Sequence, residues 1–292
     1  MANPFEGFED AVCCAVPLWT ATSFRIGGPA QYLIEPRNLD ELVALLDRCR
    51  DNAIPVRMLG GGSNILVSDR GVTGAVFRLS RMTALRRNNA QVVCEAGVSL
   101  PMLVRQAEAW GLSGLEPLAG IPGVLGGALA MNAGGAHGCI ADTLQHVKTL
   151  DRYGRLRDRS PQRLRMAYRQ SHLHGEVVLG AAFRLTPKDP AQIRKTYRQV
   201  FQDKARSQPL AAPSAGCVFK NPPGRGAGSL IDQAHLKGEH VGDAVVSNKH
   251  ANFILNRGHA TATDVRRLID NVRRRVRRRL GVELKLEIEL WN

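Results

Sequence analysis

Two glycine-rich segments are where this sequence could do chemistry. Gly60-Gly61-Gly62-Ser63-Asn64 lies between the apolar runs 55–59 and Ile65–Val67. Glycines without Cβ let successive backbone N–H groups turn toward one anion, and Ser63 and Asn64 add side-chain donors. A diphosphate suits such a cradle; a plain tight turn has the same composition. Further on, Gly120, Ile121, Gly123, Gly126, Gly127, Asn132, Ala133 and Gly134 lie in GIPGVLGGALAMNAGG, residues 120–135. That density suits close backbone approach to a flat ligand, or close packing of a helix or turn on a sheet. Neither GxxxxGK[ST] nor a helix-opening GxGxxG is present, so the two commonest nucleotide-phosphate signatures are excluded.

The elements that must position these loops follow from periodicity. Residues 31–35 read as a strand, and Asn38 is placed to cap a helix over 39–50 whose Leu42, Val43, Leu45 and Leu46 lie mainly on one face. Strands at 55–59, 65–67 and 74–79 complete an α/β unit over 20–79. A second unit, 80–190, opens with a strand at 91–96. Its helix starts at Ser99 as cap with Pro101 in the first turn and ends at Trp110, and strands follow at 146–152 and 177–185. A helical connector spans 191–206, and a third unit covers 207–292. There Val265, Leu268, Ile269, Val272, Val276 and Leu280 share one face of a helix over 263–280. Thr263 is its expected N-cap, with Asp264 beside it and Gly281 as the stop. Residues 282–291 alternate apolar and charged and read as a terminal strand.

Composition narrows the class. Hydrophobic residues are 44% of 292, which is enough for real cores. No apolar run approaches the roughly 18 residues of a membrane span. The acidic start, MANPFEGFEDAVCC, lacks the basic-then-apolar layout of a secretory signal, so a cytoplasmic protein is expected. The six cysteines show no CxxC spacing, and Cys13 and Cys14 are adjacent; reduced thiols and no metal site are expected. The net charge of +14 favours anionic partners. Arg266, Arg267, Arg273, Arg274, Arg275, Arg277, Arg278 and Arg279 crowd one helix. A charge run is usually a solvated face, and no recognition module accompanies it, so no specific nucleic-acid partner is expected.

Several segments together resemble one family. TSFRIGG at 22–28, GGGSN at 60–64, the 120–135 segment, YRQS at 168–171, SAGCVFKNP at 214–222, VSNKHANFI at 246–254 and the terminal 284–288 are similar, in order, to the motifs of UDP-N-acetylenolpyruvoylglucosamine reductases. The resemblance runs from about residue 20 to 290. It implies an α+β fold: two subdomains of the vanillyl-alcohol-oxidase (PCMH) type clasping noncovalent FAD, plus a C-terminal α+β domain for the sugar nucleotide. Only 46 positions (217 minus 171) separate Ser171 from Cys217, which implies the short branch without the tyrosine-bearing loop. The implied activity is NADPH-dependent, FAD-mediated reduction of the enolpyruvyl group of UDP-N-acetylglucosamine enolpyruvate to UDP-N-acetylmuramate. That is a step of peptidoglycan precursor synthesis, hence of cell-wall biogenesis, cell shape and division. The implied partners are the sugar nucleotide and NADPH, bound by a monomer not inserted in a membrane.

The resemblance also assigns roles. Hydride reaches C3 of the enolpyruvyl ether from flavin N5, and negative charge develops at C2 and over the carboxylate. Arg169 matches the family's arginine; its guanidinium stays charged and grips a carboxylate with two donors. Glu287 matches the C-terminal glutamate, acting with Arg169 on the enolate. Read from the residues alone, Glu287 is one outward position of an alternating strand, like Glu283 and Glu289. Cys217 stands where most members carry the serine that protonates C2; a thiol near pKa 8.5 can donate, a thiolate cannot. Tyr168, Lys220, Asn221 and Gln208 are the implied substrate contacts, Gln208 replacing a lysine of the longer branch. His137 replaces a usual aromatic, and Glu239, His240, Asn248 and His250 are structural or uridine-adjacent. Two alternatives remain open: another FAD oxidoreductase of this fold, which would lack SAGxxFKNP, and a catalytically impaired flavin-binding relative, suggested by Cys217.

Overall fold

The computed structural model describes residues 4–173 and 175–292; residues 1–3, the first of the acidic stretch, and 174 lie outside it. Two compact units emerge. The first takes the chain up to Cys13, Tyr32–Gly61 and Gly74–Lys204; the second takes Cys14–Gln31, Gly62–Thr73 and Ala205–Asn292.

In the first unit the helix Leu39–Asp51 begins as its sequence dictates: Asn38 Oδ1 accepts from Glu41 N–H at 2.9 Å. Acidic Asp40 and Glu41 sit in its first turn and Arg48 and Arg50 in its last, matching the helix dipole. Leu42, Leu45 and Cys49 bury against Ile34, Phe77 and Leu179. The short strand Val56–Met58 runs parallel to Val72–Phe77, in register Val56↔Ala75 to Met58↔Phe77. A five-stranded sheet carries the remainder, in the order Leu156–Arg159, Leu144–Leu150, Val177–Arg184, Gln91–Glu95, Leu85–Asn88. It is antiparallel throughout, and Val92, Cys94, Val147 and Phe183 bury on Leu100, Leu103, Leu125 and Leu129. Burial pushes the Cys94 thiol up to about 12, so it stays protonated.

One cap differs from expectation. The helix Leu100–Ala109 carries Pro101 in its first turn, but Ser99 makes no side-chain cap bond. Ser99 instead forms a β-bridge with Val124, and Leu100 N–H donates to Gly123 O at 3.0 Å. The backbone partner removes the need for the hydroxyl, and it ties this helix start to the second glycine segment.

The second unit is built on the helix Ala262–Leu280, whose Val265, Leu268, Ile269, Val272 and Val276 are buried as the periodicity predicts. Its N-cap is Thr261, not Thr263: Thr261 and Asp264 form a reciprocal capping box, and Gly281 closes the other end at φ 69°. Thr263 is drawn elsewhere, its hydroxyl donating to Asp69 Oδ2 at 2.8 Å while Asp69 also accepts from the N–H groups of Ala262 and Thr263. The C-terminal strand is shorter than its alternation suggests. Only Glu289–Trp291 pairs as a strand, parallel to Ile65–Val67. Upstream, Glu287 and Ile288 are both buried, and two consecutive buried side chains break a period of two.

Replacing Thr261 with Ala should lower unfolding free energy by about 1 kcal/mol, whereas Ser99→Ala should stay within about 0.5 kcal/mol. Denaturant midpoints at unchanged slope measure both.

Candidate functional site

The two glycine segments touch in the first unit. A Cβ on Gly61 would stand 2.5 Å from Gly123 Cα and 3.2 Å from Val124 N, so only glycine allows this approach of backbone to backbone. Much of the glycine density thus serves the chain itself: a Cβ on Gly126 would meet Ala96, and one on Gly134 would meet Cys139 at 2.5 Å. The N–H groups of Ile121, Gly126, Asn132 and Ala133 donate to the carbonyls of Leu118, Ala96, Leu129 and Ala128. Gly127 differs, because nothing lies within 4 Å of where its Cβ would be. Among the described residues, no chain group accepts from the backbone N–H of Gly60, Gly61, Gly62 or Ser63.

Asn132 follows, in the left-handed region at φ 42°. Its Nδ2 donates to Ala167 O at 3.0 Å, while its buried Oδ1 has no partner among the described residues. Unclaimed amide donors and an unclaimed buried acceptor are each groups that a dinucleotide with a hydrogen-bonding ring edge could use, which is the chemistry of FAD. Asn132 also anchors a tight turn. Ala167 and Gln170 exchange both backbone hydrogen bonds, 3.0 and 3.1 Å, leaving Tyr168 and Arg169 at the corners. Arg169 takes φ 54°, a conformation costing roughly 1–2 kcal/mol for a residue with a Cβ. Its Nη1 donates to Gly134 O at 3.2 Å and its Cζ lies 5.3 Å from the Tyr168 ring centroid. Ser171 Oγ donates to Ala130 O at 2.7 Å. Three side chains, from Asn132, Arg169 and Ser171, therefore join the 167–171 turn to the 130–134 backbone.

Lys204, near the end of helix Pro190–Ser207, belongs to the same neighbourhood and was not singled out by sequence. Its Nζ donates to Pro117 O at 3.0 Å and Ala119 O at 2.7 Å. Burial, then the Arg169 charge, pull its pKa down to about 8. Its signal was faint, one lysine among many cations on an amphipathic helix. His137, for its part, turns to Asp203, with Nε2 3.5 Å from Oδ2.

In the second unit the segment around Cys217 is threaded between two others. Cys217 bridges Phe253, Val218 N–H donates to Asn252 O at 2.8 Å, and Lys220 N–H donates to Lys285 O at 2.8 Å. Glu287 N–H donates to Val218 O at 2.8 Å, so the glutamate is pinned to the residue after Cys217. The outward reading of Glu287 fails: it is 8% exposed, whereas Glu283 and Glu289 face solvent. Asn64 spends its side-chain amide on Glu287 O, 3.1 Å, and its carbonyl accepts from Glu289 N–H, so this residue of the first segment holds the C-terminal segment in place. Asn221 Oδ1 accepts from Ala227 N–H at 2.9 Å, which gives it a part in starting the short helix Ala227–Gln233. Gln208 and Lys220 are half-buried. Glu239 pairs with Arg275 at 2.6 Å and is structural.

Sequence reasoning passed over Asn252. Its Nδ2 donates to Phe219 O at 2.8 Å and its Oδ1 accepts from Phe219 N–H at 3.0 Å, so one carboxamide does the work of a paired strand residue. The signal was available: an asparagine inside the apolar run Ala251-Asn252-Phe253-Ile254 must find buried partners. Among the described residues no group of His, Cys, Asp and Glu could hold a metal ion, and no helix is long and apolar enough to cross a membrane.

Residues 208–291 match the family model described as UDP-N-acetylenolpyruvoylglucosamine reductase, C-terminal domain, and residues 30–160 match an FAD binding domain. UDP-N-acetylenolpyruvoylglucosamine reductase 2 of Symbiobacterium thermophilum is 46% identical over 280 residues, 95% of this chain and 91% of its own. The reductase of Moorella thermoacetica is 44% identical over 286 residues, 98% and 95% of the two chains. The crystal structure of MurB from Thermus caldophilus superimposes with a TM-score of 0.83 at 40% identity, over 95% of this chain and 98% of that one. A solvent-stable cholesterol oxidase, 20% identical, superimposes with a TM-score of 0.51 over 64% of this chain and 40% of its own, a likeness of fold alone. The architecture is α+β, an FAD-binding fold of the vanillyl-alcohol-oxidase type with a C-terminal substrate domain.

Two glycine substitutions separate packing from ligand binding. Gly61→Ala should unfold the loop contact and lower the apoprotein Tm. Gly127→Ala, in the helix Leu125–Ala130 with open space at its Cβ, should leave the apoprotein as stable or up to about 1 kcal/mol more stable while weakening FAD binding. Flavin fluorescence titration beside apoprotein melting reads the contrast.

Proposed function

The chain belongs to the UDP-N-acetylenolpyruvoylglucosamine reductase family, and on that premise we propose how it reduces UDP-N-acetylglucosamine enolpyruvate to UDP-N-acetylmuramate, with NADPH as hydride donor. FAD, when bound, supplies the two-electron chemistry that links the nicotinamide to the enolpyruvyl double bond. The amides of Gly60 to Ser63 are suited to its diphosphate, and the Oδ1 of Asn132 to a donor on its ring edge. Gly120, Gly123, Gly126 and Gly127 shape the backbone beside it. Noncovalent binding in a cytoplasmic monomer completes the reading.

The observation that carries the chemical assignment is the pairing of Glu287 with the Cys217 segment. Glu287 is buried, against the alternation of the C-terminal segment, and its backbone is joined to the residue following Cys217. As hydride adds to C3, electron density moves to C2 and the carboxylate. Arg169 meets that charge with a guanidinium held in a strained turn, an orientation fixed before the substrate arrives. Glu287 assists at the carboxylate. Cys217 gives the proton from its Sγ to C2 and regains one from solvent, so hydride plus proton account for the two hydrogens added. Tyr168, Gln208, Lys220 and Asn221 contact the sugar nucleotide; Tyr168 is 53% exposed. Cys217 itself favours one rival reading, an impaired flavoprotein.

Anaerobic mixing tests the proposal. NADPH should bleach the flavin spectrum, and the enolpyruvyl sugar nucleotide should restore it. Bleaching without recovery would leave a flavin reductase of another kind, and a protein unable to take up FAD ends the proposal. Cys217→Ser should turn over. Cys217→Ala should keep fast bleaching but lose about 10²-fold or more in turnover, and Arg169→Met about 10²–10³-fold. Undiminished turnover in the alanine variant removes Cys217 from the mechanism.

A further inference from the structure

Lys204 is a half-buried cation placed beside another cation. Its Nζ gives hydrogen bonds to the carbonyls of Pro117 and Ala119, in the segment that enters Gly120. Its stem lies against the second glycine segment: Cδ is 3.6 Å from where a Cβ on Gly120 would be, and Cε 4.0 Å from the same point on Gly135. Arg169, whose guanidinium holds Gly134 O, is close enough to disfavour the Lys204 charge. The two cations thus flank one stretch of backbone, Gly134–Gly135.

An apolar side chain would fill the same space without desolvating a charge, so a lysine here calls for an electrostatic reason. Asp203, on the same helix, faces His137 of the 134–139 hairpin at 3.5 Å. Glu116, on the segment that Lys204 grips, is occupied by Ser113 Oγ and Gly114 N–H. The Arg169 charge adds repulsion. The two carbonyl oxygens favour the ammonium, and the structural result is a fixed Gly120 entry and a fixed Gly134–Gly135 backbone.

We propose that Lys204 is a positioning residue for the reduction: its ammonium fastens the end of helix Pro190–Ser207 to the Pro117–Ala119 carbonyls, and so holds the Gly120 and Gly134 backbone from which Arg169 is presented to developing negative charge. The inference rests on the reductase reading above. Lys204 acts through Arg169 and the loop, and exchanges no proton with substrate. Loss of its proton removes the charge that strengthens both bonds and lets the loop move, so turnover falls as pH rises through about 8, the value to which burial and Arg169 lower it.

Two variants and one titration test this. Lys204→Met should cut kcat by about 10- to 100-fold with KM for the sugar nucleotide changed less, and should flatten the alkaline limb of the kcat profile. Lys204→Arg, which stays protonated, should recover most of the kcat and move that limb to higher pH. Unchanged kcat in Lys204→Met, or an unmoved alkaline limb in Lys204→Arg, overturns the proposal; should the methionine variant not fold, the arginine profile decides alone. NMR titration of the Lys204 side chain in the flavin-free protein reads the same coupling without catalysis. A midpoint near 8 that rises in Arg169→Met is expected. A midpoint indifferent to Arg169 sinks the coupling even if the enzyme works. Wild-type protein that never reduces the enolpyruvyl substrate would fail the function while leaving this titration to judge Lys204.

Discussion

The close approach of two backbones, Gly61 against Gly123, sets what the first unit can do. Backbone amides make a selective anion site only when the chain presents them in a fixed direction, and a loop of glycines has no intrinsic reason to stay in one conformation. Packing the first glycine segment on the second provides that reason. Gly123 is itself fixed, because its carbonyl accepts from Leu100 N–H at the start of the helix Leu100–Ala109. The order runs from a packed helix, through a ladder contact, to a loop whose amides remain available. Had these positions carried side chains, both segments would stand apart.

The second unit solves a similar problem with side chains. The Cys217 segment has no long strand to pair with, and side chains and single backbone bonds hold it instead. Asn252 supplies both a donor and an acceptor to Phe219, and Lys285 and Glu287 close the other edge. Asn64 in turn fixes the carbonyl of Glu287. Each of these contacts leaves a buried polar group satisfied, so removing one would expose another to the full cost of an unmade hydrogen bond, roughly 1–3 kcal/mol.

Periodicity and punctuation made the scaffold legible. Asn38 and the 39–50 pattern gave a capped helix, and the apolar positions from Val265 to Val276 gave the long C-terminal one, because burial and capping are local demands written in residue type. Legibility stopped where long-range partners overrule local preference. Thr263 looks as good a cap as Thr261 until Asp69 claims it. Ser99 loses its cap role to a bridge with Val124. Glu287 keeps the parity of an exposed strand residue and is buried by neighbours distant in sequence. Nothing local in the motifs distinguishes glycines whose Cβ would strike backbone from Gly127, whose own Cβ position is open. Lys204 was hidden for the same reason: its partners lie more than eighty positions away.

The charge of the chain also reads differently once placed. Many arginines of the helix Ala262–Leu280 are partnered or solvated: Arg275 with Glu239, Arg273 with Glu283, Arg279 with the carbonyl of Ala234. Such exposed or rim pairs add little to stability. The consequential cations are the few held against each other. Lys204 has its pKa lowered from 10.5 to about 8, so the folded chain binds its proton less well than the unfolded one. The sign of the linkage is then fixed: the penalty is present in full below about pH 8 and is relieved as pH rises from there toward 10.5. Stability and the proposed task of Lys204 therefore run in opposite directions with pH. Selection for stability alone would favour an uncharged residue at this position, whereas a reaction that builds negative charge on its substrate favours a cation paid for by the surrounding fold.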